Sequence, residues 1–492
     1  MNSSIIFATI ALAIGSFMNV LDMTIVNVSL SHIAGDFAIA PDQGTWVITS
    51  YAVAEAIFLP LIGWLTKRLG IIKQYLGATL LFTLASMLCG TSPSYSFLLT
   101  MRILQGVVGA SMIPLSQTLM LQLYPKEKKG IALGIWSMTI VVAPVIGPVL
   151  GGWVTDAASW RWCFYINLPF GIISSLVVYY IFKKDIAKEK TFKEPIDIVG
   201  FIFLAIGVGS LQLMLDKGND LDWFSSNTII GLSISAFVFL VLLVIWEWYY
   251  DAPVVNVRLF LDRNFCIGSF SLMFSVLGYF GGIVAIPLWL QNYMGYTAFI
   301  SGKSTCTVGL SILMVTPILG KKIDKLDSRK VAAFGFLALG VATFYTSHFS
   351  PQITPAYVAF TQFLNGFGVG IFFIALNILT LSNISNENLA SASGIYNFMR
   401  NIGSSLGTSL VTPAWDHTMA FHHTMMASSI TTANPNITSA ISTSAKSLDT
   451  IYQQVILQSA IMGINDVLIG GGVISILLIP FLFFAKSTKP VL

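Results

Sequence analysis

Four ionisable residues occur inside stretches of the sequence that are otherwise apolar: Asp22, Glu55, Arg102 and Arg400. A charge at the centre of a membrane-spanning helix costs about 2.5 to 3.5 kcal/mol on insertion scales, so such residues are retained mainly for function. A carboxyl group that alternates between an arginine partner and an apolar environment binds a proton in one setting and releases it in the other. The chemistry that these residues predict is therefore reversible proton binding coupled to a change of conformation.

Asp22 and Arg102 are expected to lie close together. Counting from the predicted helix ends places Asp22 roughly 13 Å and Arg102 roughly 8 Å below the same membrane surface. Asp22 belongs to a small and polar stripe that includes Asn19, and Arg102 shares a helix face with Gln105. A fixed structural ion pair is the alternative to proton exchange at this position.

Glu55 has no obvious partner in the sequence, so on solvation grounds it is the stronger candidate for a proton carrier. Arg400 shares a face with Asn397 in a later helix, which makes a third polar stripe directed inward. Asp466 is a weaker candidate, because it lies either inside the last predicted helix or at its external rim.

The elements that must position these residues are membrane-spanning helices. The 492 residues are 55% hydrophobic and 10% charged, with a mean hydropathy of +0.79, whereas an ordinary soluble domain is about 25% charged. Apolar runs of roughly 20 residues recur along the chain, and each is long enough to cross a bilayer. They predict an all-α polytopic membrane protein of fourteen transmembrane helices, at residues 5–31, 44–66, 72–92, 97–120, 131–155, 162–182, 196–215, 226–249, 266–293, 299–319, 331–348, 355–381, 390–413 and 456–485.

The basic residues predict the orientation of these spans. Of the 26 lysines and arginines, 20 fall in alternate loops on one side and four on the other. Positive residues accumulate on the cytoplasmic side, so both termini are expected there. The net charge of +4 is too small and too scattered for a nucleic-acid partner.

Two basic loops predict an internal duplication. The segment GKKIDKLDSRK at 320–330 echoes GWLTKRLGIIK at 63–73, eight spans earlier. Two six-helix halves, at 1–190 and 261–492, would then flank two inserted helices at 191–260, and such repeats are typical of secondary transporters with a binding site between the halves. Two unrelated basic loops are the alternative.

The segment 415–454 is predicted to be a long external loop, because it is rich in Ser, Thr, Ala and Asn. A loop of this length is usually disordered or functional. Its histidines, His417, His422 and His423, are not spaced as metal ligands, which favours a solvated loop or a partner-docking surface over a metal site.

The run APVIGPVLGG at 143–152 is predicted to bend one helix and to pack closely on another. Pro144 and Pro148 would bend it, and Gly147, Gly151 and Gly152 leave room for a neighbouring backbone. The run is interpreted as a hinge or a leak-tight seal. No hydrolase or nucleotide-binding motif occurs, so we expect neither an enzyme nor a cofactor.

These motifs together resemble the major facilitator superfamily, in its fourteen-helix drug:proton antiporter branch. LDMTIVNVSL at 21–30, RILQGVVGA at 102–110 and the 143–152 run are similar to the branch's motifs in helices 1, 4 and 5. SWRWCFYINLPFG at 159–171 and YNFMRNIGSSLG at 396–407 are similar to patterns of EmrB-type subunits of tripartite efflux pumps. The similarity extends from Asn19 to about residue 485.

The resemblance implies a major facilitator fold and export of amphipathic drug-like compounds in exchange for protons. It also implies a bacterial inner-membrane location, a periplasmic adaptor with an outer-membrane channel as partners, proton coupling through Asp22 and Arg102, and a gate at 144–152.

At the loop between helices 2 and 3, Gly63, Arg68 and Gly70 fit the family's gating motif. Lys67 replaces its usual acidic residue and Ile71 a later basic one, so the family's charge network is not expected there. Asp324 and Arg329 in the second copy are expected to hold the cytoplasmic gate instead.

Candidate substrate contacts combine apolar and polar side chains, which suits amphipathic ligands. They are Asn19, Trp46, Gln105, Met112, Tyr279, Gln291, Asn377, Tyr396 and Asn397. Three other functions remain open: a dedicated exporter of one metabolite or fatty-acid-like compound, an importer, and a non-transport membrane scaffold or enzyme.

Overall fold

The computed structural model describes residues 3–125, 128–189, 195–429 and 445–487, and this part of the chain contains helices, turns and no strand. The helices before the inserted pair are α1 (Ser3–Ile25), α2 (Leu30–Asp36), α3 (Pro41–Gly44), α4 (Trp46–Phe58), α5 (Ile62–Leu69), α6 (Ile71–Gly90), α7 (Tyr95–Gly109), α8 (Met112–Leu123), α9 (Lys129–Ala157), α10 (Trp162–Tyr165) and α11 (Asn167–Ile186). The two helices at the predicted insertion are α12 (Ile198–Lys217) and α13 (Asn227–Tyr249). The later helices are α14 (Arg263–Asn292), α15 (Ala298–Thr305), α16 (Thr307–Gly320), α17 (Ser328–Thr346), α18 (Pro355–Leu381), α19 (Leu389–Ser429) and α20 (Ala445–Leu482).

The all-helical membrane fold is confirmed, but the count of fourteen spans is confirmed only in part. Helices occupy every predicted span, and twelve of those in the described ranges are long and apolar enough to cross a membrane. The other two predicted spans correspond to α17 and α19. Their sequences are more polar, because α17 begins Ser-Arg-Lys and α19 carries many Ser, Thr, Asn and His residues.

The two ends of the helix bundle differ in charge. The end where α5, α11, α16 and α20 finish carries most of the lysines and arginines, and we call it the basic end. Contacts join its loops: Trp64 donates to the carbonyl of Pro195 at 3.3 Å, and Asn264 donates to that of Lys486 at 3.2 Å. We call the opposite end the hairpin end, because α19 and α20 extend beyond the other helices there.

The helices α19 and α20 correct the prediction of a loop at 415–454. They contain 41 and 38 residues, or roughly 60 Å each, about twice the thickness of the hydrocarbon core. Tyr293, next to the end of α14, contacts Trp415 and Met419, so the part of α19 after Met419 projects past its neighbours. Residues 430–444 lie outside the described residues.

The loop prediction was wrong for a local reason. The Ser- and Thr-rich composition was taken to indicate a loop, although Trp415 and Met419 recur four residues apart and form one helical face. Trp415 donates to the carbonyl of Ala460 at 2.9 Å, and Thr418 donates to that of Gly463 at 3.2 Å. Packing against α20 therefore keeps this segment helical.

The first inserted helix, α12, packs on both halves of the bundle. Towards the hairpin end Lys217 donates to Thr45 at 2.9 Å, and Asp216 accepts a hydrogen bond from Thr49. On the other side, Gln212 donates to Ser405 of α19 at 3.1 Å. The second inserted helix, α13, packs mainly on α12 and leaves most of its apolar surface exposed, as a lipid-facing helix does.

Candidate functional site

A fully buried ion pair lies in the N-terminal half. Arg102 of α7 donates to Asp22 of α1 at 2.6 Å, and neither side chain is exposed. The sequence predicted this pairing from the similar depths of the two residues. Two opposite charges can stay ionised inside a membrane protein when their remaining polar atoms also find partners.

Two amide side chains also donate hydrogen bonds to the Asp22 carboxylate. Gln105 donates to its Oδ1 at 3.0 Å, and Asn167 of α11 donates to the same atom at 2.6 Å. Asn167 also donates to Ser86 of α6 at 2.9 Å. The carboxylate and its amide partners thus join helices α1, α6, α7 and α11.

The guanidinium of Arg102 is held on several sides. Its Nε donates to the carbonyl of Val47 at 3.0 Å, and its Nη1 also donates to Gln105 at 2.8 Å. The ring of Tyr51 lies 4.4 Å from the guanidinium carbon, a cation–π contact. Nη2 is buried and has no hydrogen-bond partner among the described residues, which leaves its two N–H groups available to a group that approaches during transport.

A second buried carboxyl, Glu55, lies on α4 one turn from Tyr51. Its Oε1 accepts a long hydrogen bond of 3.4 Å from the Tyr51 hydroxyl, which in turn accepts one of 3.0 Å from Asn19. No Lys or Arg in the described part of the chain lies within 4 Å of Glu55. Glu55 is therefore held far more weakly than Asp22.

Arg400, like Glu55, is an ionisable residue in an otherwise apolar stretch of the sequence. It lies half-buried on α19, and α19 contacts α4, the helix that carries Glu55. The two side chains make no direct ion pair. An unpaired carboxyl and an unpaired guanidinium therefore face the same boundary, one from each half.

The predicted glycine run lies against α1 beside Asp22. A Cβ atom at Gly147 would overlap Thr24, and one at Gly151 would overlap the carbonyl oxygen of Ile25. Gly152 differs, because its nearest neighbour would be Val28 at 3.7 Å, an ordinary contact. α9 continues through both Pro144 and Pro148. The seam between α1 and α9 therefore depends on Gly147 and Gly151, whereas Gly152 lies outside it.

The two halves are in contact at the basic end. A Cβ at Gly63 would overlap Ser391 of α19, and the backbone amide of Gly130 donates to both oxygens of Asp324 at 3.1 Å. The basic end is thus closed in this conformation. Asp324 makes the cross-half contact expected of a gate, through a backbone amide.

A group of amides joins the halves nearer the centre, and we call it the amide clasp: Gln117, Asn377 and Asn397. Gln117 of α8 donates to Asn377 of α18 and accepts a 3.0 Å hydrogen bond from Asn397 of α19. All three are fully buried. Asn377 Nδ2 and Asn397 Oδ1 still lack partners, so the clasp has unused hydrogen-bonding capacity.

The other expected gate residues make local contacts. Arg68 stacks on Trp64 at 5.3 Å. Gly70 has φ of 86°, a conformation that favours glycine, where the chain turns into α6. Arg329 pairs with Asp327 at 2.8 Å within its own half, and this hydrogen-bonded partner holds the pKa of the Asp327 carboxyl below its usual range.

The candidate substrate contacts lie in three environments. Asn19, Gln105 and Met112 are buried inside the N-terminal half. Tyr279 and Tyr396 have buried hydroxyls without partners, near the amide clasp on the helices of the C-terminal half. Trp46 is 39% exposed near the hairpin end, and exposed Gln291 donates to the carbonyl of Pro287. The structure therefore does not bring the nine residues into one site.

Asn167 and Gln117 were missed by the sequence reasoning. Each is a neutral amide in an apolar run, so neither produced a charge signal. Asn167 belongs to the 159–171 pattern. Its apolar neighbours in the sequence indicate that it is buried, and a buried amide normally has a hydrogen-bond partner.

The sequence of this chain is similar to a known family and to known export proteins. The family model described as Major Facilitator Superfamily matches residues 12–408. The Multidrug export protein EmrB of Escherichia coli K12 is 40% identical, with 98% of this chain and 96% of that protein covered. EmrB of Haemophilus influenzae is 44% identical over 88% of this chain and 84% of that one.

Two further matches widen the comparison. The Fatty acid resistance protein FarB of Neisseria gonorrhoeae is 37% identical, with 98% of this chain and 96% of FarB covered. The crystal structure of the human organic anion transporter MFSD10 superposes with a TM-score of 0.59 at 11% identity, over 96% of this chain and all of that one, so the likeness concerns the fold alone. With twelve candidate spans, a family match over residues 12–408 and relatives similar along nearly its whole length, this membrane-spanning chain belongs to the major facilitator superfamily of transporters.

Proposed function

We propose that this protein exports toxic hydrophobic and amphipathic compounds across the bacterial inner membrane in exchange for protons, by alternating access between two halves. The observation that carries the proposal is the pair of buried carboxyls in different settings. Asp22 is held by an arginine and two amides, whereas Glu55 accepts a long hydrogen bond from Tyr51 and forms no ion pair within 4 Å in the described residues. Glu55 is therefore the group that we expect to take up and release the proton.

A path for coupling connects the two carboxyls. Glu55 contacts Tyr51, and Tyr51 both stacks on Arg102 and accepts a hydrogen bond from Asn19 of α1. A change of charge at Glu55 therefore acts on the Asp22 network and on α1, which packs on the glycine seam of α9. Arg400 on the other half experiences the same change of charge, which favours a rearrangement of the halves.

The relatives support the direction and the substrate class. EmrB is named as a multidrug export protein, and the run in α9 resembles the motif associated with export in this family. We assign the basic end and both termini to the cytoplasm, because positive residues accumulate there. The present conformation is then closed to the cytoplasm.

The projecting parts of α19 and α20 would extend into the periplasm, and we propose that they bind a periplasmic adaptor leading to an outer-membrane channel. The support is their length beyond the other helices and exposed apolar side chains such as Phe421, Met425 and Tyr452. Contact with a partner would cover these side chains.

The test is transport in proteoliposomes with an imposed pH gradient, using a fluorescent lipophilic cation and an uncharged amphipathic dye. We expect the pH gradient to drive transport of both dyes in the direction opposite to the proton flow. Glu55→Gln should abolish gradient-driven transport but keep counterflow of the dyes, and Asp22→Asn should abolish both, because it disrupts a network that joins four helices.

The control is Asp220→Asn, which removes an exposed carboxyl that pairs only with Lys217 in the inserted region. It should transport as the unmodified protein does. Full gradient-driven transport by Glu55→Gln would refute Glu55 as the carrier, and failure to move either dye in any variant would refute the broad substrate range.

A dedicated exporter of a fatty-acid-like compound is the second candidate. It is favoured by the half-buried Arg400, which has no ion-pair partner within 4 Å in the described residues and would suit a carboxylate headgroup. The relative named as a fatty acid resistance protein agrees with it. Transport of a fluorescent fatty acid, but of neither dye, that is lost in Arg400→Gln would favour this candidate.

A further inference from the structure

A polar cavity of about 320 Å³ lies at the basic end, apart from the buried carboxyls and the amide clasp. Three parts of the chain form its walls. The end of α5 contributes Trp64 and Lys67, the connection between α13 and α14 contributes residues 251–259, and the start of α19 contributes Asn388 and Ser391. The cavity therefore lies where the two halves and the inserted helices meet.

The walls of this cavity suit a compact anion. The cationic side chains of Lys67 and Arg258 line it, together with the carboxylate of Asp251. Amide and hydroxyl groups from Asn388 and Ser391 add hydrogen-bond donors. Cations and neutral donors arranged around a small volume are the usual surroundings of a phosphate group.

The Arg258 side chain is positioned by the backbone. Its Nη2 donates to the carbonyls of Trp248 at 2.8 Å and Tyr250 at 3.2 Å, and its Nε also faces the Trp248 carbonyl at 3.3 Å. The connection that carries it is tied back by Glu247, which accepts a 3.2 Å hydrogen bond from the amide of Val255. The cationic wall therefore exists before any ligand arrives.

The depth of the cavity matches the headgroup layer of a bilayer. The carbonyls that hold Arg258 belong to an aromatic end of α13, where Trp248 is 41% and Tyr249 is 80% exposed. Exposed Trp and Tyr at a helix end mark the membrane–water interface. Basic pockets at this depth between transmembrane helices are suited to the phosphate of an anionic lipid.

We propose that this cavity binds the phosphate-bearing headgroup of an anionic phospholipid, and that binding stabilises the conformation closed at the basic end. The second part follows from the walls, since Gly63 and Ser391 are in contact in this closed arrangement and both line the cavity. Separation of the halves would divide the site. A headgroup that bridges its walls would therefore be released when the basic end opens.

The test measures retention of phosphatidylglycerol against phosphatidylcholine by the full-length purified protein, using native mass spectrometry. The double variant Lys67→Gln/Arg258→Gln should bind phosphatidylglycerol roughly 30-fold more weakly, given about 1 kcal/mol for each basic residue near an anionic lipid. The matched control is Lys73→Gln/Lys325→Gln, which removes two exposed lysines of the same end and should retain the lipid.

Three results would decide the question. Equal loss of lipid in both double variants would overturn the proposal, because general surface charge would then explain retention. Unchanged retention in the pocket variant would also overturn it. Displacement of the lipid by millimolar inorganic phosphate, together with equal transport in vesicles of either lipid, would assign the site to a soluble phosphate compound instead.

The functional consequence has its own measurement. Labelling of Ser391→Cys by a water-soluble maleimide should be slower in phosphatidylglycerol vesicles than in phosphatidylcholine vesicles, and the difference should vanish in the pocket variant. The result does not depend on the identity of the exported compound. The inference therefore remains testable if the proposed export function fails.

Discussion

Asp22 shows how much a single buried carboxylate can organise. It accepts hydrogen bonds from Arg102, Gln105 and Asn167, which come from two helices on different sides of α1. Removing one donor leaves a buried charge with less compensation, and such losses cost about 1 to 3 kcal/mol for each unsatisfied group. The arrangement of the N-terminal half is therefore sensitive to each of these side chains.

We expect Asn167→Ala to lower the free energy of unfolding by about 1 to 3 kcal/mol, because both Asp22 and Ser86 lose a donor. Thermal unfolding of the purified protein in detergent measures the change. Asn383→Ala, which removes an exposed amide that donates to Asp262 at 3.2 Å, is the control and should change stability by less than about 0.5 kcal/mol. Equal unfolding temperatures for the two variants would contradict the role of Asn167.

The sequence allowed prediction of charged partners but not of neutral ones. Asp22 and Arg102 could be paired from helix depth, because a charge in an apolar run is conspicuous and its partner must lie at the same level. Asn167 and Gln117 each make two buried hydrogen bonds, but a neutral amide costs less to bury and stands out less. Which of two helix faces meets a neighbour is set by tertiary packing, and a single sequence does not contain that information.

The seam between α1 and α9 transmits changes near Asp22 to the longest helix of the N-terminal half. Gly147 lies against the side chain of Thr24 and Gly151 against the carbonyl oxygen of Ile25. A seam of this kind tolerates sliding but not added volume.

The glycines of α9 provide a matched pair of variants. Gly151→Ala should reduce transport severely, because its methyl group would overlap the carbonyl oxygen of Ile25. Gly152→Ala should leave transport unchanged and slightly stabilise the protein, since its methyl group meets only Val28 at 3.7 Å and alanine favours helix by about 1 kcal/mol. Dye transport and thermal unfolding of both variants test this. Equal activity of the two would show that the seam does not limit transport.

The beginning of α17 contains a pH-sensitive contact at the basic end. Asp327 caps the helix through the amide of Arg329, pairs with the Arg329 side chain and accepts a hydrogen bond from Ser487. Because these partners lower the Asp327 pKa in the folded state, their stabilisation is present above the usual Asp pKa and is lost as pH falls through the folded-state pKa.

Unfolding temperatures of the unmodified protein and Asp327→Asn should therefore differ at neutral pH and converge in acid. Arg329→Gln should show the same convergence, because it removes the main partner. A constant difference between the two proteins across the acid range would contradict the assignment.

At the scale of the whole molecule, the amide clasp is a fully buried contact between helices that come early and late in the chain. Gln117 links two helices of the other half, and Thr118 beside it donates to Ser393 at 3.2 Å. Two lost hydrogen bonds of about 1 kcal/mol each would shift an equilibrium between conformations roughly 30-fold.

We expect Gln117→Ala to favour opening at the basic end. Labelling of Ser391→Cys by a water-soluble maleimide should then become faster, by up to roughly 30-fold. Thr418→Ala, where α19 packs on α20 near the hairpin end, is the control and should not alter the labelling rate. Unchanged labelling in Gln117→Ala would show that other contacts, such as Gly130 with Asp324, keep the end closed.

The unbroken course of α19 has a mechanical consequence. One helix carries Ser391 beside the closed basic end, Asn397 in the clasp, Arg400 facing Glu55, and a tip at Ser429 beyond the bundle. It can act as a lever: a tilt of 10° about Asn397 would move a tip that is 32 residues away by roughly 8 Å. A partner bound at the tip would therefore move each time the basic end opens or closes. A rigidly bound partner would slow this opening and closing.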